Sequence, residues 1–352
     1  MARASPFLHV LVPLHPVRTI SRATSSRGAC APAFRPPLLV LLALLLPIAA
    51  AAGCAAGSGD PDAGERALAQ LERLAFVPPG ECVLQPRSGS RVVCRNAQPL
   101  LVDRFETTRG EWREWSARRI APRDPTFDDV FDGWKPETMS WPASFMTLDE
   151  ARAFAAARGM RLLTAREWIR IACGTPALPY PWGGTEASSV ANTLNLGVGH
   201  PLPVGTFEQG RTPLSTYDMA GNVWEWVEDP IAVPLTAETL ESVVPSAAWA
   251  MGGSFLARQR RLHDLDAQGN LVFHRQELEP ASRSIDLGLR CACDAAEYLA
   301  ARASALEVAR DRERLLAVGA SWGRVAAPLL EDLAATPGAA PALAILLEGA
   351  RR

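Results

Sequence analysis

Residues 218–229, DMAGNVWEWVED, are the stretch from which the rest of this chain can be read. Two carboxylates, Asp218 and Glu225, flank Gly221, which permits a tight turn. Trp224 and Trp226 alternate with Val223, Glu225 and Val227, the period of a half-buried strand. A turn that feeds a strand and carries two carboxylates suits a hard cation, because calcium takes oxygen from carboxylates and main-chain carbonyls.

Upstream of this stretch, two Thr-x-x-Glu boxes, Thr147/Glu150 and Thr164/Glu167, predict helix starts. Gly159 and Gly174 end the two helices. A third helix is expected over 106–119, capped by Thr107 or Thr108. FVPPGECV and RVVCRN read as strand-like runs around a PRSGS turn, a hairpin with Cys82 and Cys94 on its arms. Residues 121–142 read as a loop. Downstream, 230–247 is a loop, 248–256 a strand broken by Gly252 and Gly253, 257–283 polar and irregular, and 284–293 a last strand. The tail, 295–352, turns rich in Ala, Leu, Arg and Glu, and its apolar spacing predicts helices near 295–317, 321–335 and 340–350.

The N-terminal end is different in kind. Residues 1–59 contain no Asp or Glu, and five arginines precede an apolar run from Leu38 to Ala52. This is the pattern of an export signal. The run is shorter than the roughly 20 apolar residues of a membrane span. It ends in AAGC, small residues before Cys54, similar to the box at which bacterial lipoproteins are cleaved and lipidated. A plain cleaved signal and an uncleaved anchor are the other two readings. Residues 55–64 read as a tether and 65–75 as a short helix. The segments are therefore 1–54 signal, 55–75 tether and helix, 76–294 main domain, and 295–352 helical extension.

With 352 residues and a net charge of −2, the chain shows no basic bias toward nucleic acid. Ten tryptophans against three tyrosines, with 26 glycines and 29 prolines, point to a loop-rich domain rather than a helical bundle.

Several segments together resemble the formylglycine-generating enzyme (sulfatase-modifying factor) family. They are LVDRFETTRGEW (101–112), GMRLLTAREW (159–168), YPWGG (180–184), PVGTF (203–207), GNVWEW (221–226), MGGSF (251–255) and GLRC (288–291), in the family's order. The resemblance implies an α+β, irregular, loop-rich fold of the C-type-lectin-like kind, here with an α-helical C-terminal extension. It also implies a calcium site on Asp218, the carbonyls of Gly221 and Val223, and Glu225, and a second one beginning at Asn192 and Thr193. It implies a disulfide between Cys173 and Cys291, with Cys293 as the other candidate partner. Cys82 and Cys94 are expected to pair across their hairpin, in the disulfide-permissive setting an exported chain would meet.

The family oxidises a substrate cysteine with two thiols five residues apart, soft ligands that select Cu(I). By spacing from the Gly252-Gly253-Ser254 turn, those positions are Ala257 and Leu262. Neither can bind copper, so no copper cofactor and no formylglycine generation are expected. His263, Asp266 and His274 are the residues that a 2-His-1-carboxylate iron site would use. The function expected is an envelope-anchored, catalytically silent binding or scaffold domain. Arg258, Arg260 and Arg261 would receive an anionic ligand or an acidic envelope partner. The alternatives are a metal-dependent oxidoreductase with altered chemistry and a regulatory partner for an active paralogue.

Overall fold

The structure, a computed structural model, describes residues 62–87, 89–118, 134–229, 247–309 and 311–352. The expected signal, Cys54, most of the loop at 121–142 and most of that at 230–247 lie outside the described residues. No helix among the described residues is long and apolar enough to cross a membrane.

Two small four-stranded sheets carry the domain. The first is built from β1 (Leu74–Val77), β4 (Leu100–Asp103), β5 (Arg161–Leu162) and β12 (Cys291–Asp294), in the order β1-β4-β12-β5, all antiparallel. The second is built from β6 (Trp224–Trp226), β7 (Ala248–Met251), β10 (Arg275–Leu278) and β11 (Leu287–Leu289), in the order β10-β7-β6-β11, with β6 and β11 parallel. Two hairpins stand beside them, β2 (Gly80–Leu84) with β3 (Val92–Asn96), and β8 (His263–Leu265) with β9 (Leu271–Phe273). The run FVPPGECV thus divides, its first part joining the main sheet and its second the hairpin. The strand expected at 284–293 also divides, because the chain leaves one sheet at Leu289 and enters the other at Cys291. Three strands lie within 257–283, where the sequence predicts none. They are short and mixed in polarity, so no period of two stands out.

The helices start where their capping signals lie. α2 (Arg109–Ala117), α3 (Leu148–Ala157) and α4 (Ala165–Cys173) begin at Thr108, Thr147 and Thr164, each with a complete capping box to the glutamate three residues on. Each of those glutamates also receives an arginine from outside its own helix: Arg73 at Glu111 (3.0 Å), Arg283 at Glu150 (2.9 Å) and Arg161 at Glu167 (2.7 Å). The local signal that starts the helix therefore also docks it.

In the tail, the single helix expected at 295–317 is two, α5 (Ala295–Ala309) and α6 (Arg312–Trp322), because Asp311 caps a new start by accepting from Arg314 N. α7 (Ala327–Ala334) and α8 (Pro341–Arg351) follow. These helices close over α1 (Ala63–Glu72) and β1. Trp322 Nε1 donates to the Leu74 carbonyl at 2.9 Å and its ring lies 6.1 Å from Phe76. Arg314 pairs with Glu65 and Glu72 of α1 at 2.8 and 2.7 Å. The extension is part of the core.

Burial alternates across the first sheet, as side chains on successive strand residues must. Leu101, Cys291 and Cys293 enter one apolar cluster with the tail helices, whereas Leu100, Val102 and Ala292 enter another with α4 and the β2–β3 hairpin. This arrangement corrects the expected disulfides. Cys82, Cys94, Cys173, Cys291 and Cys293 are all free and buried. Cys173 lies in the second cluster and Cys291 in the first, on the other side of the sheet. Cys291 and Cys293, two residues apart, share a face, so neither reaches Cys173. Cys82 and Cys94 are cross-strand partners, as the hairpin reading requires, but as free thiols. Burial raises them to about 11 and about 12, which favours the protonated thiol near pH 7.

Candidate functional site

The central stretch is more deeply buried than its alternation implies. Trp224, Glu225 and Trp226 are all buried, so β6 has no solvent face. Glu225 is 1% exposed because its carboxylate is held by a guanidinium rather than by water. Arg290 Nη2 donates to Glu225 at 2.6 Å, and Trp168 Nε1 donates to it at 2.7 Å. The same arginine donates to the carbonyls of Asp103 (3.0 Å) and Tyr217 (2.7 Å). Arg290 is the residue between β11 and β12, so it stands where the chain passes from one sheet to the other.

Two further acids lie behind this pair. Glu106 is 0% exposed. It accepts from Val223 N at 2.9 Å and from Asn222 Nδ2 at 2.6 Å. Asp218 accepts from Gly205 N at 2.7 Å. Burial drives Glu106 well above the ordinary carboxylate range, and the nearby Asp218 and Glu225 push it the same way. Burial likewise raises Asp218 to about 6, against the opposing pull of the Gly205 bond and Arg290. One guanidinium serves three acids, so at least part of the set is held as the neutral acid.

The backbone of this loop is left-handed at Asp218 (φ 58°), Gly221 (φ 90°) and Asn222 (φ 62°). Gly221 is required on a second ground: a Cβ there would lie 2.5 Å from the Asn192 carbonyl, which accepts from Asn222 N at 2.7 Å. The loop is thus stitched to Asn192 and to Glu106, neither of them near it in sequence.

These contacts bear on the expected calcium ligands. Arg290 lies against both oxygens of Glu225, in the place a cation would take. Asp218, Gly221, Val223 and Glu225 therefore do not fit an ion as a set, and no cluster of three metal-ligating side chains is formed among the described residues. Asn192 and Thr193 are different. Asn192 Nδ2 is fixed by the His200 carbonyl and Asn222 Oδ1, both at 3.0 Å, which leaves Asn192 Oδ1 buried without a partner, as is Thr193 Oγ1. Two adjacent orphaned oxygens are the donor type calcium takes. The iron set is not assembled. His263 Nε2 meets the Ala177 carbonyl at 3.0 Å, and Asp266 is spent on the amides of its own turn, Gln268 and Asn270.

A cavity of 630 Å³ is lined in part by the segment between Ala257 and Leu262, the positions on which the resemblance places the family's two thiols. Leu262 is 0% exposed in the second apolar cluster, and Ala257 is half-buried against the first. Their neighbours Gln259, Arg260 and Arg261 line the cavity, facing Trp224, Phe273 and His274. Arg258, expected with them, does not line it. Arg261 is paired with Asp264 at 3.3 Å, and Arg275 with Glu277 at 2.5 Å, while Arg260 has no ion pair among the described residues. His274 sits edge-on to Trp224 at 5.0 Å. A Cβ at Gly253, where φ is 89°, would lie 2.9 Å from His274 Cε1, so the glycine turn makes room for the imidazole. Burial and the Arg260 charge lower His274 to about 4, leaving it neutral near pH 7. The sequence marks His274 only as an iron ligand. It does not mark Trp224, Gln259 or Glu106 for the site at all, because no local pattern distinguishes them.

This architecture agrees with the comparisons. A family model described as the sulfatase-modifying factor enzyme 1-like domain matches residues 60–295, and the chain belongs to that family. Among curated relatives, it is 32% identical to the formylglycine-generating enzyme of Streptomyces coelicolor over 44% of this chain and 53% of that one. It is 30% identical to the inactive C-alpha-formylglycine-generating enzyme 2 of Bos taurus, over 45% of this chain and 52% of that one. It is 28% identical to hercynine oxygenase of Mycolicibacterium smegmatis, over 37% of each chain. The matches thus span about half or less of each relative's length. The solved structure of PvdO from Pseudomonas aeruginosa aligns with a TM-score of 0.45 at 22% identity, covering 62% of this chain and 93% of that one.

The raised Asp218 gives a pH test. Its folded value, about 6, lies above the unfolded value of 3.8, so the native state binds the extra proton. That contribution to stability is complete below about pH 4 and is lost as pH rises through about 6. Asp218→Asn removes the titration, keeps an acceptor for Gly205 N and suits the left-handed backbone. Relative to wild type, it should gain on the order of 3 kcal/mol between pH 4 and pH 8 in urea unfolding. An equal effect at both pH values would contradict the assignment.

Proposed function

We propose that this member of the family binds a ligand in place of oxidising one. The observation that carries the reading is the open cavity lined by Gln259, Arg260 and Arg261, which lie between Ala257 and Leu262 in the chain: a place for a ligand remains while the two redox positions are hydrocarbon. Arg260, exposed and without an ion pair among the described residues, supplies the charge, so the ligand is an anion. A solvated, freely exposed arginine needs no ligand to satisfy it. What favours the binding reading is that Arg260 borders a cavity lined by aromatic and polar groups. The altered-oxidoreductase reading lacks a ligand set, since His263, Asp266 and His274 do not converge.

Around this site we place three further elements. The domain is exported and tethered to a membrane through lipidated Cys54, the reading the acid-free leader and its AAGC end support. Its partner is an anionic small ligand or an acidic envelope protein, and no nucleic acid. A structural calcium ion is held at Asn192 and Thr193, where it would meet the two orphaned oxygens.

Each proposal has its measurement. In calorimetry with 3-phenylpropanoate as a plain carboxylate probe, Arg260→Ala should weaken binding about tenfold, the 1.4 kcal/mol of a charge-assisted contact. Arg258→Ala should leave it unchanged. Aldehyde formed on a sulfatase-derived cysteine peptide, with copper retained by the protein, would sink the binding reading. For calcium, chelator treatment should lower Tm and added Ca²⁺ restore it; an unchanged Tm removes the ion. For the anchor, incorporation of a labelled fatty acid should vanish in Cys54→Ser.

A further inference from the structure

The charges around the cavity are of both signs. Five of its lining residues are charged: Arg260, Arg261 and Arg275, and the acids Glu186 and Asp264. Arg261 is paired with Asp264 at 3.3 Å, and Arg275 with Glu277 at 2.5 Å. That leaves Arg260 and Glu186, one of each sign, neither in an ion pair among the described residues. Both are exposed, so a ligand entering from solvent can reach them. Gln259 Nε2 donates to the Ala187 carbonyl at 3.1 Å. Glu186 and Arg260 are the chain neighbours of those two residues, so one hydrogen bond holds their segments side by side. The two charges act on different groups. Burial and then the Glu186 charge raise the Tyr180 phenol, whereas burial and then the Arg260 charge lower His274. Arg261 and Asp264 also act at Tyr180, where they oppose one another. The unpaired acid thus belongs to the Tyr180 side of the cavity and the unpaired base to the His274 side.

A plain anion meets Arg260 but is opposed by Glu186, and a plain cation meets Glu186 but is opposed by Arg260. A molecule that carries both charges satisfies both residues. Each side chain is solvated without a ligand, so either contact alone adds little, and selectivity comes from making the two together. The same cavity offers apolar surface at Val272, 39% exposed, and at half-buried Leu265. At 630 Å³ it lies within the roughly 300–1,000 Å³ of small-ligand pockets. We infer that the cavity takes a small dipolar ion with an apolar group, the chemistry of an amino acid or of a short peptide with free ends, its carboxylate at Arg260 and its ammonium at Glu186. This inference rests on the anion-binding reading above and narrows it, from any anion to one that also carries a positive charge.

The test is calorimetry on the full chain at neutral pH with probes that share a phenyl group. L-phenylalanine, Gly-Phe and Gly-Gly-Phe are dipolar ions, 3-phenylpropanoate is an anion only, and 2-phenylethylamine is a cation only. The best dipolar probe should bind roughly tenfold tighter than either singly charged one. Its length separates a free amino acid from a peptide as the source. Glu186→Gln should weaken that probe about fivefold yet leave 3-phenylpropanoate unchanged or tighter, an opposition that a damaged fold would not produce. Arg260→Ala should weaken both. Dipolar probes no tighter than 3-phenylpropanoate, or Glu186→Gln weakening 3-phenylpropanoate to the same degree, would overturn the dipolar assignment and leave the anion reading standing. No binding of any probe, no effect of Arg260→Ala, or 2-phenylethylamine bound as tightly as the best dipolar probe would overturn the anion reading and this inference with it.

Discussion

The buried pair of Arg290 and Glu225 is the constraint on which this domain turns. The two sheets share no strand, and a single residue, Arg290, joins β11 of one to β12 of the other. A guanidinium is well suited to that residue: five donors in a rigid fork can reach a carboxylate in one sheet and carbonyls in the other. Here they reach Glu225 on β6, the carbonyl of Asp103 at the end of β4, and that of Tyr217 in the central loop. Withdrawing both charges from water is expensive, and such a pair is weak evidence of net stability. Its value is registration. With Arg290 in place, β11 runs beside β6, β12 beside β4, and the loop at 218–222 is held against both.

That joint has consequences for its surroundings. Glu225 is committed to Arg290, so it is not available to an ion. The remaining acids, Glu106 and Asp218, share the same low-dielectric pocket without a second cation, and burial biases both toward the protonated form. Protonated or not, Glu106 closes the loop through Asn222 and Val223. The loop's left-handed residues are therefore over-determined by hydrogen bonds from several directions, which is how strained backbone persists. The following strand carries Trp224 to the wall of the cavity, so the interior joint also positions a cavity-lining side chain.

The cavity shows how the fold stands with hydrocarbon side chains at 257 and 262. With Ala257 and Leu262 at those positions, Leu262 joins an existing apolar cluster. The glycine turn before it, which gives His274 its space, stays open. Arg260, Gln259 and Trp224 line the space that results. The tail helices, beyond the matched family segment, do not line this cavity. They bury α1 and β1 and complete the larger core.

Short-range physics makes much of this chain legible in its sequence. Three capping boxes place three helix starts, because the hydrogen bonds that define them span only three positions. The order of the motifs points to the family, and the resemblance places its two thiol positions on Ala257 and Leu262. The partners chosen across long separations are not legible in this way. Arg290 meets Glu225, Glu106 meets Val223, and Cys291 ends on the opposite face from Cys173. The short strands at 263–278 escape notice for the same reason, since three or four mixed residues become strands only when a neighbour supplies the hydrogen bonds. Local pattern decides which elements form and which side chains stand at the family's positions. Only the tertiary structure decides which buried charges pair, which buried polar atoms are left without a partner, and which side chains line a cavity, because those outcomes depend on desolvation and contact between residues far apart in the chain.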